Sequence, residues 1–487
     1  MSVLHNAINA NIQNCAFTAV SNTASAQNDI VSVLLGHSAT AGLLDAAERF
    51  DAPKCDEGTR TSMLLRMKKF VQQGGQPSVF WLHGPAGIGK SALAQSLALS
   101  LKDEGDHAAS FFFSRTAPGR NDGNQLIVTL ACQLALSIPP IQPLLAKVVK
   151  ENPLIFNTTN AVKMQALIVN PINQLHKQSR WNPRLWAQRV VKRKLHPRLI
   201  LVDGLDECHD PQIQRDLLIC IGNAVRQLAL PFRFVITSRP ESHILATFEL
   251  DSTFQGPRSV KVSTKNLGDD EDADEQIATF LLKEFAEIRR THPIREFLPQ
   301  PWPLPGQIAR LVSKSSKGFI YPATVIRYVK MANNRPDECL ERILGLSEIP
   351  IQDKPYEPLD ILYRYIFESV PDANKEAVRN IFHFLVVPND LDGLITPRLI
   401  EGYYHYKPGH VQHVLRDLLC VVAVTSIDRP IKVLHASLPD FLLDPSRCGP
   451  LCIDIAAAHA VMDRSLRQAS VLLDTNTNIS IIWPVIP

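Results

Sequence analysis

The chain has 487 residues, enough for about three domains at roughly 100–200 residues each. Hydrophobic residues make up 45% and charged residues 20%, the balance of a core-forming protein, which excludes a wholly disordered chain. Lys and Arg number 51 against 48 Asp and Glu, and a net charge of +3 is too near neutral for a general polyanion binder.

Residues 1–42, rich in Asn, Ala, Ser and Thr, read as an amino-terminal arm or an unrecognised adaptor. From Leu43 to Val71 the pattern turns helical, with Leu64, Leu65, Met67, Phe70 and Val71 as an apolar stripe. Ser78–His83 is a short buried-strand pattern that runs into a glycine, and Ser91–Leu101 reads as a helix. Ala108–Phe113 is a second strand and Gln125–Leu136 a second helix; Arg198–Asp203 and Phe232–Thr237 are further buried strands. Strands alternating with helices predict a parallel sheet with right-handed crossovers. Beyond about residue 265 strand signals fade. The acidic run Asp269–Glu275 precedes an apolar-periodic stretch from Ile277 to Ile288, where acids favour a helix start through the macrodipole. Pro299–Pro305 reads as a loop or rigid linker, and helical patterns continue to about residue 470 before a short apolar tail. No repeat of 20–50 residues argues for a solenoid. Nine scattered cysteines without a C-x-x-C pair argue against a disulfide framework. There is no basic-then-apolar leader, and no apolar run reaches the ~20 residues of a membrane helix, so the expected setting is reducing and cytoplasmic, without a membrane partner.

Three strand ends carry the chemistry. Gly84-Pro85-Ala86-Gly87-Ile88-Gly89-Lys90-Ser91 fits G-x-x-x-x-G-K-S/T between a predicted strand and a predicted helix. The glycines let backbone N–H groups point inward as an anion nest, and the helix that runs on through Ala92 aims its positive end at phosphates. Lys90 neutralises β/γ-phosphate charge and Ser91 offers a hydroxyl to Mg²⁺. In Leu199-Ile-Leu-Val-Asp203-Gly204-Leu205-Asp206-Glu207, an apolar strand delivers acids to the carboxyl edge of the sheet, where open α/β folds bind ligands. Asp203 is the expected Mg²⁺ partner through water, and Glu207 or Asp206 polarises an attacking water. In Phe234-Val-Ile-Thr237-Ser238-Arg239, a hydroxyl pair and an arginine are placed to sense a γ-phosphate.

Together the three motifs resemble the NACHT group of STAND NTPases, the signalling branch related to AAA+ ATPases, in the form abundant in mushroom-type fungi. Cys55-Asp-Glu-Gly58-Thr59-Arg60 is similar to the segment that lies by the base in such proteins. Lys317–Arg327 resembles their glycine-led helix, Pro358–Tyr363 the entry to their winged-helix domain, and His435-Ala-Ser-Leu-Pro-Asp440-Phe441-Leu442 its late histidine motif. The resemblance implies an α/β P-loop NTPase with an AAA+/STAND-like parallel sheet, followed by a helical domain and a winged-helix domain. The expected boundaries are 43–262 for nucleotide binding, 263–350 for the helical domain, 351–470 for the winged helix and 471–487 for a tail. It also implies a switch, closed on ADP with His435 at the phosphate, and open and homo-oligomeric on ATP. Hydrolysis would be slow, with roles in innate immunity or heterokaryon incompatibility, an upstream ligand and a downstream effector. ATP is the family-level expectation, and GTP is compatible with the motifs. An imidazole at a phosphate is also a place where pH can act on the switch.

Residues 176–198 interleave eight Lys and Arg residues with Trp181 and Trp186 ahead of the Asp203 strand. Charge plus stacking is one way to hold nucleic acid, but the small net charge and the lack of any nucleic-acid module favour a solvated basic face. Two other functions compete with the switch: a P-loop ATPase or phosphotransferase with steady turnover, and a degenerate scaffold. The intact Lys90, Ser91, Asp203, Glu207 and Arg239 argue against the scaffold.

Overall fold

The computed structural model describes residues 30–456 and 459, apart from 50–51, 74, 76, 116–118, 181–197, 333, 347–355, 388–394 and 436. Most of the basic segment 176–198, the first 29 residues and the tail 471–487 therefore lie outside the described residues.

In chain order the amino-terminal half comprises α1 (Ile30–Leu35), α2 (Thr61–Gln72), β1 (Val79–His83), α3 (Lys90–Asp103), β2 (His107–Phe112), α4 (Leu126–Ser137), α5 (Gln142–Glu151), α6 (Asn160–Lys163), α7 (Asn170–Arg180), β3 (Leu199–Asp203), α8 (Pro211–Gln227), β4 (Arg233–Ser238), α9 (Ser242–Leu250) and β5 (Val262–Asn266). The strands form one sheet in the order β2-β3-β4-β1-β5, with every neighbouring pair parallel. Parallel neighbours cannot be joined by hairpins, so each connection crosses a face of the sheet and buries it. The strand sequences answer to both faces by alternation. Phe80, Leu82, Leu199, Leu201 and Val235 pack with Met67 of α2 and Leu93 and Leu97 of α3. Val79, Trp81, Ile200, Val202, Phe234 and Ile236 pack on the other side with α1, α4, α7 and α8.

The α/β expectation and the four predicted strands match the sheet. The fifth strand, Val-Ser-Thr-Lys-Asn, escapes a hydrophobic pattern because it is an edge, half exposed along its length and paired only with β1. It also carries the sheet past residue 262, where a boundary was expected. The helix expected from Leu43 begins only at Thr61, and its buried face is Met63, Met67 and Val71, whereas Leu65 of the predicted stripe is 56% exposed. Residues 30–42 are not an appended arm. Ile30 and Leu34 sit in the α4-side core, Ala39 N–H donates to Thr129 Oγ1 at 2.9 Å, and a Cβ on Gly42 would meet the Phe111 ring at 2.8 Å.

The carboxy-terminal half comprises α10 (Ala273–Thr291), α11 (Pro305–Lys314), α12 (Ile320–Val329), α13 (Pro336–Gly345), α14 (Glu357–Glu368), α15 (Asp372–Val386), α16 (Pro397–Tyr404), α17 (His410–Leu415), an antiparallel pair β6 (Val422–Ala423) and β7 (Lys432–Val433), α18 (Ser437–Leu442) and α19 (Pro445–Cys448). The acidic run ends as predicted, with Asp274 and Glu275 in the first turn of α10. A single apolar core runs from Ile277 to Ile453, so the helices before residue 350 and the elements after it share one interior. No single helix among the described residues is long and apolar enough to cross a membrane.

Leu34 is fully buried against the sheet layer. Leu34→Ala should cost about 2–5 kcal/mol of stability in urea unfolding; an appended arm would show no change.

Candidate functional site

The strands β1, β3 and β4 end side by side, and their carboxyl ends carry the three motifs. Between β1 and α3, Gly84, Gly87 and Gly89 take positive φ values of 154°, 75° and 102°. Gly87 has a second reason to lack a side chain: a Cβ there would lie 2.2 Å from Ile320 Cγ2 and 3.4 Å from His435 Cε1. The loop is thus closely covered by the carboxy-terminal half. Its Gly87 carbonyl accepts the Ile320 N–H at 3.2 Å, and its Ala86 N–H donates to the Tyr356 hydroxyl at 3.0 Å. α3 starts at Lys90, whose buried Nζ donates to the carbonyls of Gly84 at 2.8 Å and Pro85 at 2.9 Å. Burial pushes its ammonium below the ordinary lysine range. Pro85 and Ile88 belong to the same loop, and Ala92 lies in the first turn of the helix behind it.

On the acid side, Asp203 is buried at the end of β3. Thr237 Oγ1 donates to its Oδ1 at 2.5 Å and accepts the Gly204 N–H at 3.0 Å, and the Ser91 hydroxyl stands on the same side, favouring the charged form of the Asp203 carboxyl. Burial pushes that carboxyl upward, a cost that a divalent cation beside Ser91 and Asp203 would relieve. The residues present therefore fit the Mg²⁺ that the motif implies. Gly204, at φ 69°, turns the chain into a short helical turn that carries Asp206 and Glu207. Asp206 accepts the Arg239 N–H at 2.9 Å and the Arg239 Nε–H at 3.1 Å. It is a clamp on Arg239, and Glu207 lines the cavity beside it. Glu207 accepts the Arg115 N–H at 3.2 Å, and burial, with Asp206 and Asp203 adding to it, pushes its pKa up to about 7. Of the hydroxyl pair ahead of Arg239, neither reaches toward phosphate: Thr237 is tied to Asp203, and Ser238 Oγ accepts from Trp81 Nε1 at 2.9 Å.

The upstream pair, Thr59 and Arg60, borders the same cavity as the phosphate loop. Thr59 Oγ1 donates to the Asp56 carbonyl at 2.7 Å. Arg60, in the left-handed region at φ 53°, is buried and ion-paired with Asp270. Its guanidinium also donates to the Ile88 carbonyl at 3.1 Å and the Lys317 carbonyl at 3.3 Å. Arg60 joins the phosphate loop to the carboxy-terminal half. His435 lies beside Gly87, and its Nδ1 accepts the Ser437 N–H at 3.0 Å, which leaves the proton of the neutral ring on Nε2. Burial, then Arg239, Arg327 and Lys90, lower its pKa to about 3, so the ring is neutral at physiological pH.

These groups line a cavity of about 870 Å³, closed on its other sides by the 44–60 segment and by Phe280, Phe319 and Arg327. Two further side chains, Arg49 and Arg120, carry charge there, and two more, Arg115 and Asp440, line a small cavity beside it. Arg49 stacks 3.5 Å over the Phe112 ring and is held by the Leu43 and Leu44 carbonyls and by Gln95. Arg120 donates to the Phe112 carbonyl at 3.0 Å and the Phe113 carbonyl at 3.4 Å, with Glu207 and Asp203 the acids in its field. Arg115 and Asp440 meet at 3.4 Å, and Asp440 reaches Arg239 at 2.7 Å. The available signal was position: Arg115 lies three residues beyond the end of β2, the fourth strand end at this edge.

Residues 59–239 match the family described as nephrocystin 3, N-terminal, a span that begins at Thr59 and ends at Arg239. With the parallel sheet and the phosphate loop at its carboxyl edge, the match supports a P-loop NTPase fold of NACHT/STAND-like type over that span. Comparison with curated proteins finds no match. Solved structures with some likeness include the Walker-type ATPase PABY2304 of Pyrococcus abyssi, at 13% identity over 80% of this chain and 97% of its own, with a TM-score of 0.37. Two others are the Aeropyrum pernix ORC2 protein, at 12% identity over 88% and 100% with a TM-score of 0.34, and the Aeropyrum pernix ORC1 protein in complex with DNA, at 14% over 84% and 94% with a TM-score of 0.33. Likenesses of this size carry no part of the assignment.

Because Glu207 stays protonated in the folded chain up to about pH 7, against 4.5 for a free glutamate, the folded state holds more protons between those values and stability falls as pH rises through them. Glu207→Gln should remove that slope, gaining stability at pH 8 and none at pH 4 in urea unfolding without nucleotide.

Proposed function

We propose that the protein is a nucleotide-gated signalling switch, closed on ADP, opened by ATP into a homo-oligomer, and reset by slow hydrolysis. The observation that carries this reading is the covering of the phosphate loop by the other half of the chain: Ile320, Tyr356 and His435 all lie on Gly84–Gly89. Nucleotide exchange then requires the halves to part, which couples occupancy to shape. The domain reading supports it. Residues up to β5 bind nucleotide, α10–α13 form the helical unit, and α14–α17 with the β6–β7 hairpin and α18 form the winged-helix unit that supplies His435 and Asp440.

In this reading Lys90 and the amides of Gly84–Ala92 hold the phosphates. Ser91 and Asp203 hold Mg²⁺, which when bound neutralises phosphate oxygens. Glu207 takes the proton of a water as its oxygen bonds to the γ-phosphorus and the bond to the β-phosphate oxygen breaks. Arg239, aimed by Asp206, takes charge from the γ-phosphate, and the neutral His435 Nε2–H is a donor for the ADP phosphate. Thr59 and Arg60 hold the segment beside the base. The output is signalling of the self/non-self recognition kind that the sequence resemblance implies, with ATP the preferred base.

Nucleotide released by denaturing the purified chain, identified by chromatography, should be stoichiometric ADP, and Lys90→Ala should abolish its binding. His435→Ala should raise the ADP off-rate and populate open oligomers; an unchanged off-rate removes His435 from the mechanism. Fast, sustained turnover by the monomer would instead establish the ATPase or phosphotransferase reading.

A further inference from the structure

Arg239 is a cation with two edges in use. Its backbone N–H and Nε hold Asp206, 2.9 and 3.1 Å away, on the nucleotide-binding side. Its outer Nη2 holds Asp440 Oδ2 at 2.7 Å, across the interface with the carboxy-terminal half. The other oxygen of Asp440 faces Arg115 Nη1 at 3.4 Å, while Arg115 Nη2 donates to the Asp206 carbonyl at 3.2 Å. A small cavity of about 90 Å³ adjoins this cluster, bounded among others by Glu207, Arg239, His435 and Asp440. The first three of these also line the large nucleotide cavity. The Asp440 carboxylate therefore stands at the seam between the halves, on Arg239 and on Arg115, whose backbone N–H donates to Glu207.

We propose that Asp440 sets the selectivity of the site between di- and triphosphate, by occupying as a built-in carboxylate the arginine edges that a terminal phosphate needs. The inference rests on the nucleotide-switch reading and names the regulation of that same site. Carboxylate and phosphate both present paired oxygens to a guanidinium, so they are equivalent ligands for Arg239. A nucleoside diphosphate on the phosphate loop brings no third phosphate, and Asp440 keeps its partners. A triphosphate brings a second anion to the same cations, and two anions sharing one guanidinium edge repel each other at close range. Either the terminal phosphate is excluded or Asp440 is displaced, and displacing Asp440 removes the ion pairs that join α18 to the nucleotide-binding half. Tyr356 and Ile320 carry no charge and cannot discriminate in this way, and His435 lies over the loop itself rather than on the outer edge of Arg239.

The test is equilibrium titration of the full-length chain with Mg-ADP and with a non-hydrolysable Mg-ATP analogue, alongside sedimentation velocity. Asp440→Asn keeps the shape and removes the charge. It should shift the ratio of triphosphate to diphosphate affinity toward triphosphate roughly ten- to hundredfold, the scale of a close interfacial ion pair. Arg115→Gln, a second variant that keeps Arg239 for the phosphate, should shift the same ratio in the same direction by less. Equal changes for both nucleotides, or none, overturn the proposal. If the chain opens with the analogue but the affinity ratio does not respond to Asp440→Asn, the inference fails and the switch reading stands. If the ratio shifts while the triphosphate form sediments as the closed monomer, the selectivity role stands and the switch reading fails. Failure of the wild-type chain to bind either nucleotide overturns both.

Discussion

Arg239 is the ionic joint between the two halves of the chain. It stands one residue beyond β4, so a central strand of the sheet fixes its backbone, and Asp206 fixes its side chain from the neighbouring strand end. The guanidinium then projects toward the carboxy-terminal half, where Asp440 meets it. Each carboxylate–arginine contact is partly shielded from water: Asp206 is 3% and Asp440 15% exposed. Such pairs are costly to break one-sidedly, because the remaining charge is left without compensation. The surrounding charges are arranged with the same economy. Lys90 rests on loop carbonyls and Arg120 on strand carbonyls, neutral acceptors that orient a cation without cancelling it. The acids Asp203 and Glu207 lie in reach of these cations, yet burial still pushes both carboxyls upward. The site is thus assembled short of full charge compensation, as a binding site for a phosphate chain and its metal should be.

What the sequence made legible follows from how local each feature is. The phosphate loop, Asp203 and Arg239 are strand-end motifs, and they meet in space because parallel strands align their carboxyl ends. The four apolar strands could be read for the same reason: each is buried on both faces and shows as an unbroken hydrophobic run. β5 could not, since an edge strand with half-exposed side chains carries Ser, Thr, Lys and Asn. The helix over-read from Leu43 failed because segment 43–60 makes its contacts with polar and irregular backbone, through Arg49 and Thr59, rather than with a stripe. Arg60 was legible as a site neighbour, yet its partners, Asp270, Gln276 and Lys317, are more than two hundred residues away. The pairing of Asp440 with Arg239 spans a similar distance, and no local pattern encodes it.

The boundary expected at residue 350 illustrates a different limit. Hydrophobic periodicity locates helices but not which of them share an interior. Here α10–α13 and the elements after residue 356 build one core, with Leu340 and Ile343 in the same cluster as Leu362, Ile366 and Phe382. The carboxy-terminal half is therefore better regarded as one packed body with two sets of elements, and this bears on how it can move. A closely packed interior transmits displacement and does not absorb it. A push at Asp440 or His435 is delivered to α12, which carries Ile320 on the phosphate loop, and to the Arg60–Asp270 pair at the base of α10.

That mechanical continuity makes the kind of contact on each side of the seam decisive. Apolar and neutral contacts such as Ile320 on Gly87, or the Tyr356 hydroxyl on Ala86 N–H, respond to whether the loop is filled, and any nucleotide fills it. A ligand shifts an equilibrium only by the difference in its affinity for the two states, so contacts displaced equally by di- and triphosphate cannot distinguish them. Discrimination has to come from a group that meets the third phosphate and nothing before it, and it has to be charged, because charge is what the third phosphate adds. Among the described side chains that cross from the carboxy-terminal half to the arginines of the nucleotide-binding half, Asp440 meets both conditions. The neutral contacts therefore act as the cover, and the carboxylate as the element that reads which nucleotide lies beneath it.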